Sequence, residues 1–340
     1  MGQKIIKNFK PIKGSHCSST CITEAVRLFG KDVNETLIFG ISSGLDFIYA
    51  KYPTFGFSRI VSGRTPMLET SFTKTIGHHL YWREGCVVEW GAIKEYIEND
   101  TPIFFLTDIF YLPFYNAERS NFAGHTISVV GYNDNKKILY VSDYISDHLF
   151  ELQYNELIQA IENKKPPFQK SFQWMPFTID KSFILNLDIK QLVINGINAN
   201  AKSMLSPSNK RGVNAINCLA QEVIYFKDLP NWRNLCLQIY QSMEKIGTGG
   251  LGFRKMYHDF LLQARSILGK ELKVSINSIE SLEKHYKVMS RYFFLAARRG
   301  ETKYLYELKD ILLFICELER QMWKELFEAT SLDVDRQLLN

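Results

Sequence analysis

The chain has 340 residues, of which 46% are apolar and 14% aromatic, a composition that excludes a disordered or low-complexity protein and suits about two domains. Its 41 basic and 36 acidic side chains give a net charge of +5, without the clustering that nucleic-acid binding needs. No apolar run reaches the roughly 18 residues of a transmembrane helix. The basic N-terminus lacks the apolar core of a signal peptide. We therefore expect a cytoplasmic protein that contacts neither nucleic acid nor membrane.

The first half of the chain mixes helical and strand periodicity. The apolar spacing predicts helices over 21–29, 90–97 and 154–163, and strands over 103–106, 126–132 and 138–141. Gly30 is a C-cap signal for the first helix, and Asn133 to Lys136 is a turn signal between the last two strands. This pattern predicts an α+β domain over residues 1–175.

The second half of the chain is predicted to be helical. All 10 prolines lie between Pro11 and Pro230, and long amphipathic runs cover 275–299 and 303–329. A polar stretch near 206–212 marks a change in composition. We therefore predict a connecting region over 176–212 and an all-helical C-terminal domain over 213–340.

Cys17 immediately precedes the first predicted helix. A helix N-terminus carries partial positive charge and unpaired N–H groups, which favour a thiolate and can hold a developing oxyanion. A lone cysteine at a helix start is also common as a structural residue. The six cysteines lack paired zinc-type spacing, and His78 and His79 have no spaced partner for a metal site.

The predicted hairpin brings a histidine and a carboxylate together. His125 begins one strand and Asp143 ends the next, and a turn centred on Asp134 would place them directly opposite, with Cβ atoms about 5 Å apart. A carboxylate that orients a histidine serving as base for a cysteine is the logic of a catalytic triad. The alternative is a surface cross-strand pair. Together, Cys17, His125 and Asp143 favour a nucleophilic site.

Two sets of residues in the chain resemble known families. The helix-borne Cys17, with the stretches 124–132 and 139–143, looks like the papain-like fold and is closest in pattern to double-glycine leader peptidases. Residues 16–17, 39–49, 108–116 and 121–125 resemble the N-terminal domain of butirosin biosynthesis protein H. In that family a helical domain commonly follows, and 246–257 resembles its recurring segment.

The resemblance implies an acyltransferase of natural-product biosynthesis with a papain-like catalytic domain. By this resemblance Cys17 is the nucleophile, His125 the base and Asp143 the orienting group. An aminoacyl or other acyl group would move from an acyl carrier protein thioester to an amine acceptor, such as an aminoglycoside or polyamine. The resemblance implies no cofactor or metal beyond the phosphopantetheine of the carrier, and leaves the oligomeric state unknown.

The chain departs from the related patterns at two places. Papain-like peptidases usually take an oxyanion donor from a Gln shortly before the cysteine, and the stretch from Asn8 to His16 contains none. Ser43 and Asp46 stand where the butirosin family pattern leads us to expect Glu and Gly. The missing Gln leaves the oxyanion donor unidentified, and the change at Ser43 and Asp46 concerns the specificity for the acceptor.

Further residues are candidates for substrate binding. Asp46 and Asp108 would pair with a cationic acceptor or cap a helix or turn, and Tyr111 and Tyr115 would line an acyl channel or belong to the core. Arg254, after the glycine-rich stretch 247–252, would help cradle a phosphate, or the glycines would form a hinge.

Two other functions compete with acyl transfer. The same triad with water as acceptor would make an amide hydrolase or peptidase. A non-catalytic scaffold of a biosynthetic pathway would need no activated thiol at Cys17.

Overall fold

The computed structural model describes residues 2–51, 58–85, 87–115, 124–162, 172–245, 247, 249–269 and 272–337, with the side chains of 332–337 excepted. The chain forms two compact units. Unit 1 comprises Met1–Ile38 and Ile76–Leu187, and unit 2 comprises Phe39–Thr75 and Asp188–Asn340. The units are interleaved along the chain, whereas the sequence had suggested consecutive ranges.

The helices and strands are defined as follows in chain order. The strands are β1 (Gln3–Ile5), β2 (Leu45–Lys51), β3 (Arg59–Arg64), β4 (Arg83–Glu84), β5 (Ile103–Thr107), β6 (His125–Asn133), β7 (Ile138–Ser142), β8 (Phe150–Gln153) and β9 (Gln173–Pro176). The α-helices are α1 (Cys17–Leu28), α2 (Glu35–Ile41), α3 (Leu68–Thr75), α4 (Trp90–Glu98), α5 (Tyr154–Ile161), α6 (Lys181–Leu185), α7 (Ile189–Met204), α8 (Gly212–Glu222), α9 (Trp232–Glu244), α10 (Arg254–Leu268), α11 (Lys273–Arg299) and α12 (Lys303–Gln337). Short 3-10 turns cover Ile109–Tyr111, Val223–Asp228 and Leu251–Phe253.

Unit 1 is built on a seven-stranded antiparallel sheet in the order β4-β9-β5-β6-β7-β8, with β1 also paired to β6. Every residue of β6 is buried, as expected for a central strand covered on both faces. Apolar side chains of β5, β6 and β7 form the core of this unit with α4 and α5. The start of β6 is thereby buried inside the unit.

The register of β6 and β7 differs from the one predicted. Ser128 pairs with Ser142 and Val129 with Val141, with an irregularity before Gly131, so the predicted direct pairing of His125 with Asp143 is wrong. The turn occupies residues 134–137, so it is shifted by one residue toward the C-terminus relative to the predicted turn signal at 133–136. His125 instead pairs with Thr107 of β5.

Helix α1 packs on the sheet at the start of β6. Its first ten residues are buried, and polar atoms contribute to this packing: Ser18 Oγ lies 3.3 Å from Thr126 Oγ1, and Cys21 Sγ donates to the Thr126 carbonyl at 3.8 Å. These contacts place the N-terminal end of α1 beside His125. The helix stops near the predicted cap, where Gly30 has a φ of +93°.

Unit 2 consists of the β2–β3 hairpin with α3 and the helices α7 to α12. The long helices α11 and α12 confirm the predicted helical C-terminal region, and the α+β class of the chain is confirmed with them. The predicted connecting region 176–212 differs from the structure, because α7 buries Leu192, Val193 and Ile197 within this unit. None of the helices in the described part of the chain is long and apolar enough to cross a membrane.

Candidate active site

Cys17 is the first residue of α1, and its side chain is buried, with 5% of the residue exposed. The first backbone N–H groups of a helix have no intrahelical acceptor and carry partial positive charge. The N-cap is His16, with an extended backbone (φ −145°, ψ 135°) and a side chain that accepts from the Ser19 N–H. A histidine therefore occupies the cap position that Ser, Thr, Asp or Asn usually takes.

Glu35, the first residue of α2, fixes the segment that leads to Cys17. Its carboxylate accepts from the backbone N–H groups of Ser15 (2.8 Å) and His16 (2.9 Å). It also accepts from the hydroxyls of Ser19 (2.7 Å) and Thr20 (3.1 Å). One carboxylate thus holds both sides of the turn into α1, which orders the chain around the cysteine.

His125 and Asp143 form a buried pair. The imidazole Nε2 lies 2.6 Å from Asp143 Oδ2, and the two side chains are 3% and 0% exposed. The Tyr115 hydroxyl donates to Asp143 Oδ1 at 2.9 Å, and the Ile145 N–H donates to the same oxygen at 3.2 Å. Both carboxylate oxygens therefore have partners, and Nδ1 is the ring nitrogen of His125 that Asp143 does not bind.

Cys17 and His125 are close enough that each shifts the pKa of the other. Burial acts to raise the pKa of Cys17, but the nearby His16 and the hydrogen bonds from His125 and His16 hold this pKa well below its usual value. Burial acts to lower the pKa of His125, but the Asp143 carboxylate and Cys17 raise this pKa to about 10. At neutral pH these shifts favour a thiolate beside an imidazolium.

His16 is a second histidine at the sulfur. Its Nε2 lies 3.9 Å from Cys17 Sγ, and its Nδ1 lies 3.3 Å from the Ser19 nitrogen that donates to it. The side chain is buried, at 3% exposure. The sulfur of Cys17 is thus flanked by two imidazoles, one oriented by Asp143 and one by the backbone of α1.

Glu24 of α1 lies beneath this site. Its Oε1 accepts from the Ser142 hydroxyl (2.6 Å) and from the Ile12 N–H (2.9 Å), whereas Oε2 is buried without a hydrogen-bond partner. Burial, with a smaller contribution from the negative charge of Asp143, raises the pKa of Glu24 to about 8. This shift favours the neutral form of the Glu24 carboxyl at pH 7, and its hydrogen bonds tie β7 to the segment before Cys17.

The structure brings four of the predicted residues together: Cys17, His125, Asp143 and Tyr115. Tyr111 lies in the 3-10 turn before Tyr115 and packs against the apolar core of unit 1. Asp108 is fully buried, and its carboxylate caps that turn by accepting from the Phe110 N–H at 3.0 Å. The rest of the stretch that carried the family resemblance, 116–123, lies outside the described residues.

Asp46 and Arg254 lie in unit 2, and both make structural contacts inside that unit. Asp46 Oδ2 accepts from the Arg211 guanidinium, and Oδ1 from the Gly212 N–H at 3.2 Å. Arg254 is completely buried, 2.8 Å from Glu319, and donates to the carbonyls of Asp46 and Gly252. These contacts account for both residues without a substrate.

The glycine-rich stretch before Arg254 is explained by close packing at Gly252. A Cβ built on Gly63 of β3 would lie 2.4 Å from the Gly252 carbonyl oxygen, and Gly252 itself has a φ of +55°. Only glycine fits such a backbone approach. Residues 246 and 248 of this stretch are outside the described residues. Packing within unit 2 therefore accounts for Gly252 without a phosphate.

Sequence reasoning did not single out Glu24 and Glu35. An acidic residue in the first turn of a helix, such as Glu35, is an ordinary helix-start signal, and a single Glu inside an amphipathic helix carries no signal of burial. Their roles arise from contacts with residues 12 to 118 positions away. No cluster of three His, Cys, Asp or Glu side chains suited to a metal ion occurs among the residues that the structure describes.

Comparison with family models gives two matches. A model described as "Butirosin biosynthesis protein H, N-terminal" matches residues 16–144, a range that contains Cys17, His125 and Asp143. A model described as "Domain of unknown function (DUF4872)" matches residues 155–326. A search of curated proteins found no match.

Proposed function

Because the chain belongs to the butirosin biosynthesis protein H family, with the DUF4872 domain after the N-terminal one, we propose that it is a cysteine-dependent acyltransferase. It moves an acyl or aminoacyl group from the phosphopantetheine thioester of an acyl carrier protein to a small amine acceptor. Natural-product biosynthesis is the setting that the family description supports. Cys17, His125 and Asp143 are the proposed catalytic residues.

The first half-reaction forms a thioester on the protein. The Cys17 thiolate attacks the carbonyl carbon of the carrier thioester, and the carbonyl π electrons move to oxygen. When the tetrahedral intermediate collapses, the C–S bond to the carrier breaks, and the departing thiolate takes the proton of the His125 imidazolium. A thiolate suits this step because it is both a good nucleophile and a good leaving group.

The second half-reaction forms the amide. The acceptor amine attacks the acyl carbon on Cys17, and His125, now neutral, takes the proton that the amine loses. Collapse of this intermediate breaks the bond to Sγ and regenerates the thiolate beside the imidazolium. Exchange of thioesters is nearly neutral and conversion to an amide is downhill, so the two steps need no nucleotide.

Asp143 and Tyr115 serve this cycle by holding His125. The 2.6 Å contact with Asp143 engages Nε2 of His125, which leaves Nδ1 for proton transfer and stabilises the imidazolium. Burial and the charge of Asp143 raise the pKa of Tyr115 above its usual range, so its hydroxyl remains a donor to that carboxylate. The rings of Tyr115 and Tyr144, with centroids 5.5 and 5.8 Å from that of His125, shield the pair from water.

The observation that carries the proposal is a buried cysteine whose pKa is lowered by His125, together with the 2.6 Å pairing of that histidine with Asp143. A cysteine kept only for packing has no need of a charged histidine partner, and burial alone would raise its pKa. The alternative function, an amide hydrolase or peptidase, has no separate observation in its favour. Attack by water and attack by an amine would use the same catalytic residues.

The test loads a panel of short acyl and aminoacyl groups on an acyl carrier protein and mixes each with the protein, with and without a polyamine or aminoglycoside. Intact-mass spectrometry should show an acyl adduct on Cys17 that clears much faster when the amine is present. Cys17→Ala is the control and should form no adduct. Free acid released equally fast in both mixtures would identify a hydrolase, and no adduct across the panel would identify a scaffold.

A further inference from the structure

We propose that the Nε2–H of His16 is the side-chain donor that stabilises the oxyanion formed when an acyl group is attacked at Cys17. This inference rests on the proposed acyl transfer and names a residue that the triad does not include. The segment from Asn8 to His16 contains no Gln, so the Gln that usually donates to the oxyanion in papain-like peptidases has no counterpart in this segment. His16 is directly adjacent to the nucleophile and reaches the same sulfur.

The hydrogen bonds of His16 determine its tautomer. The Ser19 backbone N–H always carries its hydrogen, and it points at His16 Nδ1 across 3.3 Å. Nδ1 must therefore be unprotonated, since two hydrogens cannot face one another. A neutral imidazole has one N–H, and in His16 this N–H is on Nε2. The helix N-cap thus presents Nε2–H toward Cys17.

The position of Nε2 suits an oxyanion donor. It lies 3.9 Å from Cys17 Sγ, and the oxygen that becomes negative is two bonds from that sulfur. A donor at this range from Sγ can reach the 2.7–3.1 Å distance from the oxyanion that such donors require. The backbone N–H of Cys17, at the start of α1, is the second donor.

The donor is held before the reaction begins. Glu35 binds the His16 backbone N–H at 2.9 Å and the Ser19 hydroxyl at 2.7 Å, and the imidazole is buried. A preorganised donor in a buried site stabilises developing charge more strongly than water does. No proton moves at this step: the carbonyl π electrons go to oxygen, His16 donates a hydrogen bond, and the electrons return when the leaving thiolate departs.

Two substitutions test the roles of the two ring nitrogens of His16 separately. In His16→Asn the side-chain oxygen replaces Nδ1 as the acceptor of the cap, while the Nε2 donor is lost. In His16→Gln the side-chain amide NH₂ replaces Nε2 as a donor, while the cap acceptor is lost. Asn is a good N-cap residue, so the first variant retains the start of α1.

The experiment compares two reactions of Cys17 in each full-length protein. Acetylation by phenyl thioacetate passes through an oxyanion, whereas alkylation by iodoacetamide does not. Both rates are taken at the pH plateau of alkylation, where the thiol is fully ionised in every variant, and both adducts are located by mass spectrometry. His16→Asn should acetylate about 10²–10³-fold more slowly than the wild type, with alkylation little changed. His16→Gln should retain most of the acetylation rate.

Equal losses in acetylation and alkylation, or no loss of acetylation in His16→Asn, would overturn the oxyanion role while leaving Cys17 as the nucleophile. Equal loss of acetylation in the Asn and Gln variants would also overturn it, because only the Asn variant lacks the donor. A wild-type protein in which neither reagent modifies Cys17 would contradict both the nucleophile and this inference.

Discussion

Asp143 lies one residue beyond the end of β7, yet its Oδ2 lies 2.6 Å from Nε2 of His125, the first residue of β6. The two residues are not cross-strand partners, since Ser128 pairs with Ser142. Their contact is diagonal and is made by the side chains, a reach that neighbouring strands permit. The orientation of Asp143 therefore depends on its other partners, Tyr115 and Ile145.

Cys17 is expected to be the most reactive thiol of the native protein. Its pKa is held well below the usual value by His16 and His125 despite burial, whereas burial raises the pKa of Cys236 to about 12. Stoichiometric iodoacetamide should label Cys17 first, and the labelling rate should stop rising with pH well below pH 9. Peptide mapping by mass spectrometry measures both.

The control for this labelling is Cys17→Ser, which should leave only slow alkylation. Faster labelling at another site, including Cys86 outside the described residues, would contradict the assignment. So would labelling of Cys17 only after unfolding.

Asp143→Asn should preserve the fold and slow acyl transfer. The amide keeps the size of the side chain but can present its NH₂ to His125, which favours the wrong tautomer and removes the charge that raises the His125 pKa to about 10. We expect a fall of about 10²–10⁴ in acyl-transfer rate and a rise in the pH at which Cys17 labelling reaches its plateau. Adduct formation by intact mass and labelling against pH are the measurements.

Asp147→Asn is a matched control, because Asp147 lies in the same loop with its side chain 83% exposed. It should behave as the wild type in both assays. If the two substitutions slow transfer equally, the contact between His125 and Asp143 is not what orients the base.

Glu24→Gln should remove a pH-dependent loss of stability. The folded-state pKa of Glu24 is about 8, against an ordinary value of 4.5, so between these pH values the folded state holds a proton that the unfolded state has released. Stability therefore falls as pH rises through this window, by about 1.4 kcal/mol per pH unit for one proton. Urea unfolding should show that the free energy of unfolding of Glu24→Gln, relative to that of the wild type, is higher at pH 7.5 than at pH 5.5.

Glu151→Gln is the control for this comparison, since the Glu151 side chain is 57% exposed. The difference in unfolding free energy between Glu151→Gln and the wild type should not change between the two pH values. If the difference in unfolding free energy between Glu24→Gln and the wild type is also the same at both pH values, Glu24 is ionised in the folded protein.

Arg254→Met should destabilise unit 2 rather than weaken substrate binding. The substitution leaves Glu319 buried without its cation, and breaking a buried ion pair from one side costs about 3–5 kcal/mol. Removing the carboxylate as well, in Arg254→Met/Glu319→Leu, should restore part of the loss. Urea unfolding measures both, with the exposed neighbour Lys255→Met as the control. Unchanged stability with a raised KM would support the ligand-binding role that the sequence suggested.

The sequence by itself determined the local elements and the identity of the chemical groups. The helix predicted over 21–29, the strands predicted over 126–132 and 138–141, and the amphipathic runs over 275–299 and 303–329 follow from apolar periodicity and from Gly and turn signals. They correspond to α1, β6, β7, α11 and α12. These are properties of residues a few positions apart. The family resemblance also appears in the sequence, since it depends on ordered motifs, and the match to the butirosin biosynthesis protein H model confirms it.

The tertiary structure alone decided the contacts between distant segments. The register of β6 and β7 depended on turn geometry and on an irregularity near Gly131, which no residue pattern predicts. Whether Asp46 and Arg254 would meet a ligand or the interior was set by packing within unit 2. Glu24 and Glu35 acquire their roles from hydrogen bonds to residues remote in sequence, because burial and pairing depend on the folded neighbours of a side chain rather than on its position in a local pattern.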